Sequence, residues 1–289
     1  MSLRAELAFE CESELGEGPI WDDRTGELIW LDVTQGKIRF YSPTKKSQKE
    51  FKLDRPIGSL ALTQGNHLWL ALRDGFAHYS RDSQSISSFV KVVLIPDIRF
   101  NDGAVDAQGR FLAGTMGYVP QPNTGTLYSF TSEFGYKVLL PEVGVSNGIC
   151  WSKDSSHMFY IDSLTRNIQI FDYDLKKGNL SNPQTFVTFK EEDGIPDGLT
   201  IDQEGSLWVA MWEGSQVLKI DKEGLITESI ELPVTKVTSV TFGGSDLKDL
   251  YITTASFELS PRELSNQPLA GSLFKVRTEV PGFVENRMK

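Results

Sequence analysis

The sequence predicts an all-β fold built from six copies of one four-stranded unit. Each copy contains a strongly apolar strand, and these have the sequences LIWLD (28–32), LWLAL (68–72), FLAGT (111–115), MFYID (158–162), LWVAM (207–211) and LYITT (250–254). Their starts are 40, 43, 47, 49 and 43 residues apart, and a strand with alternating polar and apolar residues follows each one. We find no convincing amphipathic helical pattern longer than two turns. A period of about 40–50 residues with four short strands is typical of a β-propeller blade. The sequence therefore predicts a six-bladed β-propeller with four-stranded antiparallel blades, whereas a β-sandwich would not produce this register.

The six repeats account for almost the whole chain, so residues 1–289 are predicted to form a single propeller domain. An alternating segment, Leu7 to Ser13, precedes the first repeat. We expect it to pair with the last blade, because this N-terminal strand would close the ring and cover an exposed strand edge.

The composition excludes several classes of protein. An apolar fraction of 39% can form a folded core, which excludes wholesale disorder. The chain carries 29 Lys and Arg against 39 Asp and Glu, and its net charge of −10 argues against nucleic-acid binding. No run of about 18 apolar residues could span a membrane, and acids stand where a signal peptide would be apolar. We therefore expect a cytoplasmic protein without nucleic-acid or membrane partners, as a monomer or weak homo-oligomer, with Cys11 and Cys150 as reduced thiols.

One residue per repeat is predicted to face the central channel, since the innermost strand of each blade begins there. Aligning the repeats on their second strands gives six equivalent residues, which we call the ring positions: Glu17, Gly58, Asn101, Asn147, Asp197 and Thr238. Four of the six carry a carboxylate or a carboxamide. Asn-Gly and Asp-Gly pairs are also ordinary turn residues, but four oxygen donors at one repeat position favour a site.

The donors at the ring positions predict a divalent cation. Glu17 and Asp197 would supply two negative charges, Asn101 and Asn147 would supply neutral carbonyl oxygens, and Asp102 lies beside them. Two carboxylates in a narrow site repel each other unless a cation lies between them. Oxygen donors without Cys or His suit Ca²⁺ best, with Mg²⁺, Mn²⁺ or Zn²⁺ as alternatives.

Two long loops, 116–125 and 256–271, connect second to third strands on the same face as the ring positions. Long loops over a rigid scaffold usually form a lid or a wall that selects the substrate. Tyr118 and Phe257 would shield a bound ligand, or each would cap its own loop.

Several segments resemble a known family. They are ELGEGPIW (14–21), IRFNDGAVDAQGRFLAGTM (98–116), VSNGICW (145–151), YIDS (160–163) and IPDGLTIDQEGSLWVAMW (195–212). Together they are similar to the senescence marker protein/gluconolactonase/luciferin-regenerating enzyme family, which includes regucalcin, over essentially the whole chain. The resemblance implies a six-bladed propeller with one catalytic divalent cation, whose ligands fall on Glu17, Asn147 and Asp197. It also implies sugar-lactone contacts at Arg99 and Asn101, and an acid/base role for Asp197.

The chain departs from the family at one substrate contact. Regucalcin-like members carry an acid shortly after the Gly-Thr-Met segment, whereas residues 116–126 contain no Asp or Glu, and Tyr118 and Val119 occupy this stretch. The contact that this acid makes with a substrate hydroxyl would come from Asn123 or Glu213 instead, or this contact is absent. Because of this difference, gluconolactone need not be the substrate, whereas the predicted metal ligands and their chemistry are unaffected.

The leading hypothesis is a metal-dependent hydrolase of small sugar lactones. The cation would act as Lewis acid and water activator, with Asp197 as acid/base and Arg99 on the developing oxyanion. Asn101 and Asp102 would fix the ring hydroxyls. The alternative is a calcium- or ligand-binding propeller of regucalcin type without catalysis, and a phosphoester hydrolase ranks third. A Ser-His-Asp mechanism is poorly supported, because the three histidines (67, 78 and 157) lie in outer strands or beside second strands.

Overall fold

The computed structural model describes residues 3–92 and 95–289. Two short strands come first, β1 (Leu3–Arg4) and β2 (Glu6–Phe9). The first blade is β3 (Gly16–Asp22), β4 (Glu27–Asp32), β5 (Lys37–Ser42) and β6 (Ser47–Lys52). The second is β7 (Ile57–Leu62), β8 (His67–Leu72), β9 (Gly75–Ser80) and β10 (Ser85–Lys91). The third is β11 (Ile98–Val105), β12 (Phe111–Gly117), β13 (Gly125–Thr131) and β14 (Gly135–Val143).

The second half of the chain continues the same pattern. The fourth blade is β15 (Ser146–Trp151), β16 (His157–Asp162), β17 (Asn167–Asp174) and β18 (Asn179–Thr188). The fifth is β19 (Ile195–Ile201), β20 (Leu207–Trp212), β21 (Gln216–Ile220) and β22 (Ile226–Glu231). The sixth is β23 (Val237–Gly243), β24 (Asp249–Thr254) and β25 (Leu273–Arg277). Single 3₁₀ turns cover Ser163–Thr165 and Glu191–Asp193, and one α-helix, α1, covers Pro261–Asn266. The fold is a six-bladed β-propeller, and each predicted apolar strand is the second strand of its blade.

Contacts divide the chain into two compact units. Unit one comprises Met1–Leu53 and Val187–Val284, and unit two comprises Asp54–Phe186 and Glu285–Lys289. Unit one holds blades one, five and six, with inner strands β19, β23 and β3 adjacent in that order. Unit two holds blades two, three and four, with inner strands β7, β11 and β15 adjacent. The single domain of the sequence analysis stays a prediction.

The N-terminal strand completes the last blade, as predicted. β2 pairs antiparallel with β25, so the sixth blade has the strand order β2-β25-β24-β23. The paired segment is Glu6–Phe9 and therefore begins and ends before the predicted Leu7–Ser13. β1 adds a parallel fifth strand to the fifth blade by pairing with β22, which the sequence pattern did not indicate.

The helix α1 lies inside the long loop 256–271. Ser260 and Glu263 form a capping box, in which Ser260 Oγ accepts the N–H of Glu263 and the Glu263 carboxylate accepts the N–H of Ser260. Pro261 occupies the first turn, where its missing N–H leaves no bond unmade. A six-residue helix has too few positions to produce an amphipathic pattern, so the sequence analysis missed it.

The hydrophobic core lies between neighbouring blades. Trp21 of β3 stacks on Tyr251 of β24, with ring centroids 5.9 Å apart, and Phe76 of β9 stacks on Phe130 of β13 at 4.2 Å. These contacts join blade six to blade one and blade two to blade three. Each blade alone has two uncovered faces, and stacking on a neighbour buries them.

Two further sequence-based expectations can be compared with the structure. Within the described part of the chain, no helix is long and apolar enough to cross a membrane. Cys11 and Cys150 are both free thiols. Burial raises the pKa of each thiol, so neither is a ready nucleophile.

Asp106 is a buried carboxylate that accepts four hydrogen bonds. It is fully buried, accepts the backbone N–H of Gln108 (2.9 Å) and of Arg110 (2.9 Å), and accepts Arg110 Nε and the Tyr173 hydroxyl at 2.6 Å each. Arg110 also donates to the carbonyl of Leu175, so this cluster joins blade three to blade four. Removing the carboxylate would leave a largely buried guanidinium without its counter-charge and the Tyr173 hydroxyl without its acceptor.

We expect Asp106→Ala to lower the free energy of unfolding by about 3–5 kcal/mol, the usual result of breaking a buried pair. Asp221→Ala is the matched control, because Asp221 accepts the N–H groups of Glu223 and Leu225 in the same kind of turn without an arginine or tyrosine. It should lower stability by only about 1 kcal/mol. Urea unfolding followed by circular dichroism measures both, and equal losses would contradict the role of the cluster.

Candidate functional site

A β-bulge marks the ring position of every inner strand. In blades two to six the strand register shifts at the ring position itself, and in blade one it shifts directly after Glu17. In blade five, for example, Asp197 and Gly198 together oppose the single residue Ala210. A bulge bends the strand and redirects its side chain, and bulges occur often beside active sites. The repeat alignment therefore located a real structural feature in all six blades.

Small residues at the bulges let neighbouring inner strands approach closely. A Cβ on Gly58 would collide with the backbone of Phe100 on the next inner strand, and a Cβ on Gly198 would collide with Ser239. Glycine is used in strands where another backbone comes this near. Gly58 and Gly198 are therefore required by packing.

Unit one carries the two carboxylates at the ring positions. Glu17 on β3 is 8% exposed and Asp197 on β19 is 6% exposed. The backbone N–H of Gly18, at φ +52°, donates to Glu17 Oε2 at 3.0 Å and helps to fix this carboxylate. On the strand between them, the Thr238 hydroxyl donates to the carbonyl of Gly16 at 2.5 Å. Thr238 therefore ties two inner strands together.

Unit two brings three predicted residues into one hydrogen-bonded chain. Arg99 Nη1 donates to Asn101 Oδ1 at 2.7 Å, and Asn101 Nδ2 donates to Asn147 Oδ1 at 2.8 Å. Asn101 Nδ2 also donates to the carbonyl of Ser146 at 2.9 Å, and Asn147 Nδ2 donates to Ser163 Oγ at 2.7 Å. These bonds fix both amides, so that Asn147 Oδ1 keeps a second lone pair for a cation.

Asp102 lies in the same bulge as Asn101. Loss of hydration raises the pKa of Asp102 from its ordinary value near 3.8 to about 6, although a 2.6 Å hydrogen bond from the N–H of Gly103 opposes the shift. A carboxylate held in this way would gain from a nearby cation or from hydroxyl donors of a ligand.

Two carboxylates at the ends of second strands, Asp32 and Asp162, have structural partners, and Tyr118 is exposed. Asp32 accepts the N–H groups of Glu14 and Leu15 at 3.2 Å, and Asp162 accepts those of Gly144 and Val145 at 2.8 and 2.9 Å. Both carboxylates therefore hold the segment that leads into their inner strand. Tyr118 is 49% exposed, so its predicted role as a substrate contact or shield stays a prediction.

The histidines do not form a nucleophilic site. His67 and His78 pack against each other, with ring centroids 4.7 Å apart. His157 lies 3.5 Å from Asp172 and 2.8 Å from Ser156, but the Ser156 hydroxyl also donates to Asp154. That serine proton is already bound, and the group lies on an exposed turn.

Two residues were missed by the sequence analysis. Ser163 anchors Asn147, and its only sequence signal is its place directly after the second strand of blade four. Lys236 is a buried lysine, 6% exposed, that lies two residues before the ring position Thr238. Arg99 lies two residues before its own ring position, Asn101, so the same repeat alignment could have found Lys236.

The donor chemistry fits a hard divalent cation. Glu17, Asn147 and Asp197 are buried oxygen donors at equivalent, bulged positions, and this set contains neither sulfur nor imidazole. In the part of the chain that the structure describes, no three His, Cys, Asp or Glu side chains gather as metal ligands. The predicted set has only two carboxylates, and its third donor is an amide.

The raised pKa of Asp102 predicts how stability depends on pH. The Asp102 carboxyl binds its proton more tightly in the folded protein than in the unfolded chain. The free energy of unfolding therefore falls as the pH rises from about 4 through 6 and this carboxyl ionises. We expect Asp102→Asn to unfold with a free energy about 1–2 kcal/mol above wild type at pH 7.5, and close to wild type at pH 4. Urea unfolding with a chelator at both pH values measures this, and a pH-independent difference would contradict it.

Three comparisons identify the family of the chain. Residues 15–256 match the family described as SMP-30/Gluconolactonase/LRE-like region. Regucalcin of Xenopus laevis is 36% identical over 282 residues, covering 95% of this chain and 94% of that protein. A candidate sugar lactone lactonase of Bacillus subtilis (strain 168), YvrE, is 35% identical over 283 residues, covering 97% of each.

Solved structures agree with this assignment. A luciferin-regenerating enzyme superposes with a TM-score of 0.90 at 30% identity, covering 98% of this chain and 100% of the other. A calcium-binding regucalcin from Agrobacterium tumefaciens gives a TM-score of 0.96 over 100% and 98% of the two chains, and at 23% identity it supports the fold alone. The chain belongs to the SMP-30/gluconolactonase/LRE family and is a regucalcin-like six-bladed propeller.

Proposed function

We propose that this protein is a divalent-metal-dependent hydrolase that opens small sugar lactones. The observation that carries the proposal is the hydrogen-bonded chain from Arg99 through Asn101 to Asn147, because it joins a cationic donor to an oxygen donor that suits a metal. Family membership supports it, since relatives carry the names of lactonases and of a calcium-binding protein.

Glu17, Asn147 and Asp197 would hold the cation. When bound, Ca²⁺ or another divalent ion would polarise the lactone carbonyl and lower the pKa of an attacking water. Glu17 and Asp197 are both buried, and would balance the charge of the ion.

Asp197 would act as acid and base. Its carboxylate would accept a proton from the attacking water and then return it to the ring oxygen as the C–O bond of the lactone breaks. Asp197 lies at the bulge of an inner strand and is buried, and such placement on a rigid element would limit the rearrangement needed during turnover.

Arg99 would bind the lactone carbonyl and stabilise the oxyanion that develops on it. Its Nη1 already donates to Asn101 Oδ1 and to the carbonyl of Phe100 at 3.0 Å, and these two bonds orient the guanidinium plane. A preoriented donor stabilises developing charge better than a mobile one. Asn101 and Asp102 would contact the ring hydroxyls.

The identity of the lactone depends on loop 118–124, between β12 and β13. This loop carries no carboxylate, and Tyr118 lies at its start. We propose that Tyr118 covers the bound lactone, and that Asn123 or Glu213 supplies the hydroxyl contact for which other family members use an acid. A regucalcin-like calcium-binding propeller without turnover is the second candidate, favoured by the names of relatives.

Metal add-back tests the hydrolase. We expect the chelated protein to be inactive on D-glucono-1,5-lactone and to recover with Ca²⁺, Mg²⁺, Mn²⁺ or Zn²⁺, as measured by pH-stat. Asp197→Ala should abolish recovered turnover, and Glu17→Gln should weaken metal binding measured by calorimetry. Asp172→Asn, which changes an exposed carboxylate on β17, is the control and should behave as wild type. Metal binding with no hydrolysis of any five- or six-membered aldonolactone would favour the calcium-binding candidate.

Arg99 is tested separately. We expect Arg99→Ala to lower kcat/KM by about 10²–10³-fold, or about 2–4 kcal/mol, as for loss of an oxyanion donor. Arg99→Lys keeps the positive charge but loses the planar, two-pronged guanidinium. Its kcat/KM should lie between the values of wild type and Arg99→Ala. A fall of less than threefold in Arg99→Ala, with metal affinity unchanged, would exclude Arg99 from the transition state.

A further inference from the structure

Lys236 is a charged side chain enclosed by aromatic groups in unit one. It directly precedes β23, and its residue is 6% exposed. Its Nζ lies 4.6 Å from the ring centroid of Trp212 and 6.0 Å from that of Phe257, and it donates to the carbonyl of Phe257 at 2.6 Å. Two rings and one carbonyl thus surround the ammonium.

Among residues 3–92 and 95–289, no carboxylate forms an ion pair with Lys236 Nζ, whose contacts are the two rings and the carbonyl of Phe257. The pKa of Glu263 is lowered chiefly by its bonds to Ser260, and Lys236 adds only a smaller, more distant contribution. Lysine is almost never buried unless it is paired, because an unpaired ammonium loses its hydration.

A second lysine of the fifth blade gives the comparison. Lys219 on β21 lies over Trp208 at 5.0 Å, much as Lys236 lies over Trp212. Its Nζ is 3.4 Å from a carboxylate oxygen of Glu228, so its charge is balanced within the blade. Lys236 has the aromatic contact, but no carboxylate in the described part of the chain lies within ion-pair distance of its Nζ.

The position of Lys236 connects it with the ring positions. Its backbone forms an isolated β-bridge with Trp212, and Trp212 pairs with Ile195, which lies two residues before Asp197. Lys236 therefore lies at the end of blades five and six where the inner strands begin. The bond from Arg99 to Asn101 shows that a side chain two residues before a ring position can reach the ring residue in its own blade.

We propose that Lys236 binds a carboxylate of the substrate, and that the preferred substrates are lactones that carry a second, free carboxylate. This inference rests on the proposed lactonase function and narrows its substrate class. The carboxylate would take the place that Glu228 has beside Lys219, and the aromatic walls would strengthen the ion pair by excluding water. A single ammonium balances one negative charge, so a carboxylate fits better than a phosphate dianion in a protein with a net charge of −10.

Two lactones that differ only at C6 test the proposal: D-glucaro-1,4-lactone has a carboxylate where D-glucono-1,4-lactone has CH₂OH. Wild type should show the higher kcat/KM on the glucaro-lactone. Lys236→Met should lower this value at least 30-fold, mainly through KM, and change the value for the neutral lactone less than threefold. Lys236→Arg should retain the preference for the glucaro-lactone, and Lys219→Met, the matched control, should behave as wild type.

A measurement on wild type avoids dependence on variants that fail to fold. D-Glucarate should inhibit hydrolysis of the neutral lactone at least tenfold more strongly than D-gluconate does. Three results would overturn the proposal: equal inhibition by glucarate and gluconate, an equal loss of kcat/KM on both lactones in Lys236→Met, or a preference of wild type for 6-phosphogluconolactone. Lys236 would then only hold loop 256–271 in place through its hydrogen bond to Phe257. Without hydrolysis of any lactone the lactonase proposal fails, and glucarate binding measured by calorimetry in wild type and Lys236→Met still decides the role of Lys236.

Discussion

The close approach of neighbouring inner strands is the constraint on which the candidate site depends. At Gly58 and Gly198 there is no room for a Cβ, because the adjacent strand already fills that space. The register shifts at or directly after the ring positions are bulges, which bend an inner strand and redirect its side chains. Glu17 and Asp197 in unit one and Asn147 in unit two each lie at such a bulge, so within each unit the packing of the inner strands and the placement of the polar ring residues depend on the same backbone feature.

Hydrogen bonding divides the polar residues into those that hold the scaffold and those that suit a ligand. Asp32, Asp106 and Asp162 each accept two or more hydrogen bonds from backbone or side-chain donors, and each fixes a chain segment or a neighbouring blade. Asn101 differs, because its amide orients Arg99 on one side and Asn147 on the other. A change at Asn101 would consequently disturb the proposed oxyanion donor and the proposed metal ligand together, and its effects should not add to theirs.

The charge of Lys236, which no carboxylate of the described residues balances, is the basis for the proposed substrate class, lactones with a free carboxylate. Some buried charges that the structure describes are neutralised by a neighbouring opposite charge, as in the pair of Asp106 with Arg110. Lys236 is held by rings and a carbonyl, which support an ammonium without cancelling its charge. Loop 118–124 carries no carboxylate. Under the proposed lactonase function, an ammonium at Lys236 would favour acidic over neutral lactones.

The sequence by itself determined the repeat, the blade count, the second strand of each blade and the six ring positions, because these depend on local periodicity and on spacing along one chain. It also located Arg99 and Asn101 through motifs. Only the tertiary structure decided that Thr238 is a link between strands, that Ser163 anchors Asn147 and that β1 joins the fifth blade. It also decided that the ammonium of Lys236 contacts two rings and a carbonyl and pairs with no carboxylate of the described residues. Each of these depends on what a neighbouring strand or loop supplies, and contacts between residues far apart in sequence leave no periodic signal in the order of the amino acids.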